Sequence, residues 1–73
     1  MMKYDDCVKE LFFYEKGTAG GFASKLIELY KSADADNKER IRVGFPHMSQ
    51  AIDDWNQAGD YGRDLFRKHG LME

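Results

Sequence analysis

Between Gly20 and Trp55 the apolar residues recur every three or four positions, in short blocks separated by a polar run after Tyr30 and by Gly44 and Pro46. That spacing belongs to helices with one buried face, and the interruptions forbid any long one. A chain written this way must fold as several short helices joined by tight turns.

The first block lies just ahead of that stretch. Tyr4, Cys7, Val8, Leu11 and Phe12 fall at i, i+3, i+4, i+7 and i+8, one stripe of a 3.6-residue period, which predicts a helix over 4–15. Asp5 and Asp6 suit its first turn, where the helix dipole favours negative charge. Lys16 and Gly17 suit its end. The run Leu11-Phe12-Phe13-Tyr14 also fits a short strand, and on sequence both readings stand.

A second helix is predicted over 20–32, with Thr18 as its N-cap. Phe22, Leu26, Ile27 and Tyr30 share its inner face with Ala23, while Lys25, Glu28 and Lys31 lie away from it. Gly20 and Gly21 each cost roughly 1 kcal/mol in a helix relative to alanine, so some gain must offset them. Close approach of another backbone is the expected gain, and a ligand-touching turn is the alternative.

A third, short helix is predicted over 37–43, capped by Asp36 with Glu39 three residues on and ended by Gly44. Phe45 before Pro46 should be extended, and Pro46 can open a fourth helix over 46–57. There Met48, Ala51, Ile52 and Trp55 form the stripe, and Ser49, Gln50, Asp53, Asp54 and Asn56 cover the other side. Ala58-Gly59 stops it, and a last helix over 61–68 turns Leu65 and Phe66 inward. The predicted fold class is all-α, a compact orthogonal bundle of four to five short helices in one domain, 1–73.

Size restricts how such a bundle is held. A 73-residue chain buries roughly 60% of the surface its unfolded form exposes, and domains this small usually add disulfides, a metal or a second subunit. Cys7 is the only cysteine, so no internal disulfide can form, and with the scattered His47 and His69 it matches no metal spacing. No metal and no cofactor are therefore expected. Helix packing and self-association remain, and a homodimer is one of the partner expectations. A lone cysteine, a charged N-terminal segment and the absence of any ~20-residue apolar run fit a cytoplasmic protein with no membrane span. The paired initial methionines suggest a complete small protein.

No catalytic or nucleotide-binding motif is present, and a non-enzymatic protein is expected. Cys7 sits on the apolar stripe of the first helix, where a small buried thiol is common. Asp53 and Asp54 are helix neighbours that point about 100° apart, so they do not converge on one substrate atom and read as a solvated acidic face. Residues 47–60 carry three aspartates and no lysine or arginine. Trp55, Tyr61 and Phe45 lie near helix ends, where a part-exposed aromatic favours protein contact, although the core also needs their area. Asp53, Asp54, Trp55 and Tyr61 are accordingly the candidate partner-binding residues.

Lys38, Arg40 and Arg42, with Lys31, form the alternative site, a set of phosphate contacts beside a helix-turn-helix-like segment at 36–57. The presumed reading helix, however, would present Asp53 and Asp54 to a polyanion, and the net charge is −2. Nucleic acid is thus the weaker partner expectation.

The run Gly20-Gly21-Phe22, Leu26 to Tyr30, Ala33-Asp34-x-Asp36-Asn37 with Arg40, Gly44-Phe45-Pro46 and Ala51…Trp55 resembles a group of small bacterial proteins encoded largely on phages and mobile elements. The resemblance covers about residues 20–55. His47-Met48 depart from the acidic residues that often follow Phe-Pro in that group. A well-specified helical core, no site motif and an acidic helix face point to a small protein-binding module; the resemblance implies a phage or mobile-element origin and, with it, an inhibitor of a host factor or defence complex, and it supplies no catalytic residue.

Overall fold

The computed structural model describes residues 3–73 and contains, among them, five α-helices and no strand: α1 (Tyr4–Glu15), α2 (Gly21–Ser32), α3 (Ala35–Gly44), α4 (Pro46–Gln57) and α5 (Arg63–Lys68). The all-α bundle is thus the fold, and the strand reading of residues 11–14 is excluded. The radius of gyration, 11.5 Å, is close to the roughly 11 Å of one globular body of this length.

Helix α4 is the hub. It packs against each of the other four helices, whereas α3 and α5 do not touch each other. Its stripe is as predicted: Met48, Ala51 and Ile52 are buried. Onto it fold Cys7, Val8 and Leu11 of α1, Leu26, Ile27 and Tyr30 of α2, and Leu65 and Phe66 of α5. Phe12 meets Phe66 edge-on at 5.3 Å, tying α1 to α5. Helix α3 contributes no fully buried side chain and rests on half-buried Ile41.

The helix ends account for most of the differences from the sequence reading. Thr18 does not cap α2; Gly20 does, and Thr18 closes α1 instead. The Thr18 N–H donates to Phe13 O and the Gly17 N–H to Tyr14 O, a Schellman motif with Gly17 at φ +79°. Leu71 and Gly70 repeat it on Phe66 and Arg67 at the end of α5. The third helix starts two residues early. Asp34, not Asp36, is its N-cap, because its carboxylate accepts from the Asn37 N–H at 2.9 Å while its backbone is extended. Ser49, expected outside, is buried, since its hydroxyl donates to Phe45 O at 2.8 Å and satisfies itself within the fold.

The last helix also begins later than predicted. Asp60 and Tyr61 hold φ of +56° and +57°, and Gly62 follows at +88°, so the chain turns left-handed for three residues before Arg63. Such a conformation costs a residue with a side chain about 1–2 kcal/mol. The Asp60 carboxylate, bound by Arg67 at 2.7 Å and Arg63 at 3.5 Å, offsets part of that cost. The Arg67 guanidinium holds the Asp60 carboxyl below the usual carboxylate range.

Gly62 is needed on two counts, its positive φ and its contact with Trp55, since a Cβ there would collide with indole Cδ1 and Nε1. Gly17 shares only the first, having open space where a Cβ would stand. Gly17→Ala should therefore lower stability by about 1–2 kcal/mol, and Gly62→Ala by at least about twice as much. Thermal melts check this: about 4–8 °C per kcal/mol is expected for a domain of this size, and equal shifts for the two variants would refute the Trp55 contact.

Candidate interaction surface

The two aspartates of α4 diverge as helix geometry requires, and each is held inside the fold. Asp53 accepts from the Tyr30 hydroxyl at 2.9 Å and pairs with Arg42 at 3.5 Å. Asp54 accepts from the Tyr4 hydroxyl at 2.5 Å and from the Gln50 side-chain amide at 2.8 Å. They are half-buried anchors for α2 and α1, not the free acidic strip expected from the sequence. Burial first, then the bond to Asp54, pushes the Tyr4 phenol up to about 12. Burial and Asp53 raise Tyr30 likewise, with Arg42 opposing.

Trp55 is also turned inward. Its ring lies 6.4 Å from those of Tyr14 and Phe66 and carries the Lys31 ammonium at 5.2 Å, while its buried indole N–H has no acceptor among the described residues. Of the four candidate partner residues, Tyr61 alone is fully outward, 88% exposed, on the left-handed turn with Arg63 stacked at 5.9 Å.

The basic set is scattered among internal contacts. Arg42 pairs with Glu39 and Asp53, Lys38 sits 5.4 Å over the Tyr30 ring, and Arg40 bonds the Asn37 side chain. The presumed reading helix is α4; its outward residues are His47, Gln50, Asn56 and Gln57 with half-buried Asp53 and Asp54, and it presents no lysine or arginine to a polyanion.

Among the described residues no three His, Cys, Asp or Glu side chains gather as a metal set. Cys7 is fully buried, and burial with Asp6 and Glu10 pushes its thiol up to about 11. His69 lies 3.4 Å from Asp5 and tilts onto Tyr4 at 5.6 Å, far in sequence and role from His47.

The surface that the sequence reading missed is apolar. Phe22, placed on the inner face of α2, is 64% exposed, and Leu29 on the same helix is 56% exposed. Seven residues apart, they lie on one line along α2, an outer stripe beside the buried Ala23, Leu26, Ile27 and Tyr30. Val43 is 85% exposed at the end of α3, and Phe45 stands half out of the turn into α4, its ring 5.8 Å from that of Phe22. Phe22, Val43, Gly44, Phe45, Pro46 and His47 border an open concavity of about 610 Å³ floored by Cys7 and Met48. Gly44 and Phe45 also border the groove between α2 and α3 that Leu29, Arg40 and Ile41 line. Phe22 continues into a third hollow with Phe13, Gly20 and Gly21. The three depressions thus share their walls and form one face.

The close backbone approach expected at Gly20 and Gly21 does not occur among the described residues: a Cβ at either, or at Gly44, would meet none of them within 4 Å. All three border the apolar face. Compared with models of known families, with curated proteins and with solved structures, the chain finds no match.

The Tyr4–Asp54 bond makes stability depend on alkali. The folded protein holds the Tyr4 proton to about 12 whereas the free phenol releases it near 10. Its contribution is therefore complete below pH 10 and lost as pH climbs to 12. Tyr4→Phe should cost about 1–2 kcal/mol at neutral pH and flatten this alkaline loss in urea unfolding; an unchanged slope would show that another group causes it.

Proposed function

We propose that this protein is a protein-binding module that performs no chemistry of its own and works through the apolar face centred on Phe22, Val43 and Phe45. The observation that carries the reading is that a chain short of core material leaves these side chains outside. With Leu29 and Phe13 they expose on the order of 500 Å² of apolar area, within the range of the largest patches on soluble monomers, which are often functional.

The form of the face favours one kind of occupant, an amphipathic helix. Its depressions run between helices, and the open glycines at 20, 21 and 44 leave room for a second backbone to come close. Its rim mixes signs, with Asp6, Lys9 and Glu10 on the α1 side and Asp34 and Arg40 on the α3 side. Oily anchors inside a polar rim are how protein interfaces are commonly built. The partner-binding residues move accordingly, from the α4 aspartates, which serve the fold, to the outer line of α2 and the α3–α4 corner.

Display of a library of random helical peptides tests this. Selection on the wild-type chain should yield peptides with apolar residues at i, i+3 or i+4, and i+7. Their binding should weaken at least roughly thirtyfold in Phe22→Asp, the loss of one hot-spot side chain, whereas Glu28→Ala, on the far side of α2, should leave it unchanged. Failure to select such peptides, or equal binding by Phe22→Asp, would overturn the reading.

A further inference from the structure

We infer that the occupant of this face is a second copy of the chain, and that two copies meet across a two-fold axis at the Val43–Phe45 corner. The inference rests on the apolar face being a protein-binding site and names its occupant.

A two-fold interface uses the same patch twice, so that patch must be complementary to itself. This one carries both halves of a fit. Val43 projects from the end of α3, 85% exposed, and directly beside it opens the concavity bordered by Phe22, Phe45 and His47. A two-fold rotation sets the Val43 of each copy before the concavity of the other. Gly44 stands between knob and hollow, with no positive φ and no neighbour to explain it. A bare backbone at that point lets the second α3 come closer than any side chain would.

Charge agrees with a like partner. The α1 rim carries Lys9 between Asp6 and Glu10, so one edge holds both signs and can pair with its own image. A net charge of −2 offers little repulsion between copies. A one-signed rim would have pointed to a partner of the opposite sign.

Area agrees as well. A stable interface buries about 800 Å² on each side, somewhat over half of it apolar. The exposed face offers apolar area of that order. A second subunit is also a usual supplement for a domain this small, and the single cysteine rules out an internal disulfide.

Sedimentation equilibrium of the full chain from about 1 to about 500 μM tests the inference, a range that brackets micromolar self-affinity. The wild-type mass should rise from one chain to two. Val43→Asp should remain one chain throughout with an unchanged helical circular dichroism spectrum, since Val43 lies outside the core. Phe22→Asp should weaken the dimer at least roughly thirtyfold. A wild-type chain that stays single at the highest concentration overturns the second copy, as does a dimer that Val43→Asp leaves intact. A monomer that still selects helical peptides overturns only the identity of the occupant. A monomer that selects none overturns the binding face too.

Discussion

The structure depends on one helix against which every other helix packs. Helix α4 buries Met48, Ser49, Ala51 and Ile52, and the other four helices are arranged by where they meet it. Apolar contact alone would let short helices slide along this hub. Two phenol–carboxylate bonds pin them: Tyr4 to Asp54 across 50 residues of chain and Tyr30 to Asp53 across 23. Because adjacent aspartates on a helix point about 100° apart, one pair of neighbours can hold two different helices. Charge-assisted hydrogen bonds of this kind are directional and stronger than neutral ones, so they fix the rotation of α1 and α2 as well as their distance.

The second constraint is at the α4–α5 corner. A short chain has little slack there, and it turns through three left-handed residues to return α5 to the core. Phe66 is the gain, fully buried between Phe12 and Trp55. Burying a phenylalanine is worth about 1.5–3 kcal/mol, of the same order as the strain of Asp60 and Tyr61. The Asp60–Arg67 pair is exposed and contributes less than the packing does. Tyr61 is outward for the same reason: its backbone is set by the turn, and its side chain has no hollow to enter.

How much of this was legible follows from what kind of signal each part leaves. Periodicity marks helices and their buried faces, and the stripes of α1 and α4 are read correctly from it. Caps depend on backbone dihedrals, and two aspartates separated by one residue offer the same chemistry, so Asp34 and Asp36 are not distinguished by spacing. Left-handed turns at residues other than glycine leave almost no trace, which hid the start of α5. The internal bonds of the two aspartates left no signal, because a carboxylate on a polar face looks solvated until a tyrosine from a distant segment is known to reach it. The exposed face did leave a signal. Ile41 and Val43 are the only large apolar residues of α3, and two positions apart they point about 200° from each other, so burying one exposes the other. Phe22 and Leu29, seven apart, likewise draw a line that the stripe through Ala23, Leu26, Ile27 and Tyr30 does not include.

Those two outer lines explain why the interior could not absorb the whole apolar content. A helix of twelve residues in a five-helix globule can turn only one face to the hub, and α2 carries apolar residues over a wider arc than that. Moving Phe22 inward would rotate Ala23 and Tyr30 outward and break the bond to Asp53, a buried tyrosine and a charged hydrogen bond given up for one ring. The fold therefore holds its arrangement by leaving Phe22, Val43 and Phe45 in water. The apolar face is thus retained at the cost of exposing three large side chains, and the glycines at 21 and 44 that border it are required neither by a positive φ nor by packing among the described residues.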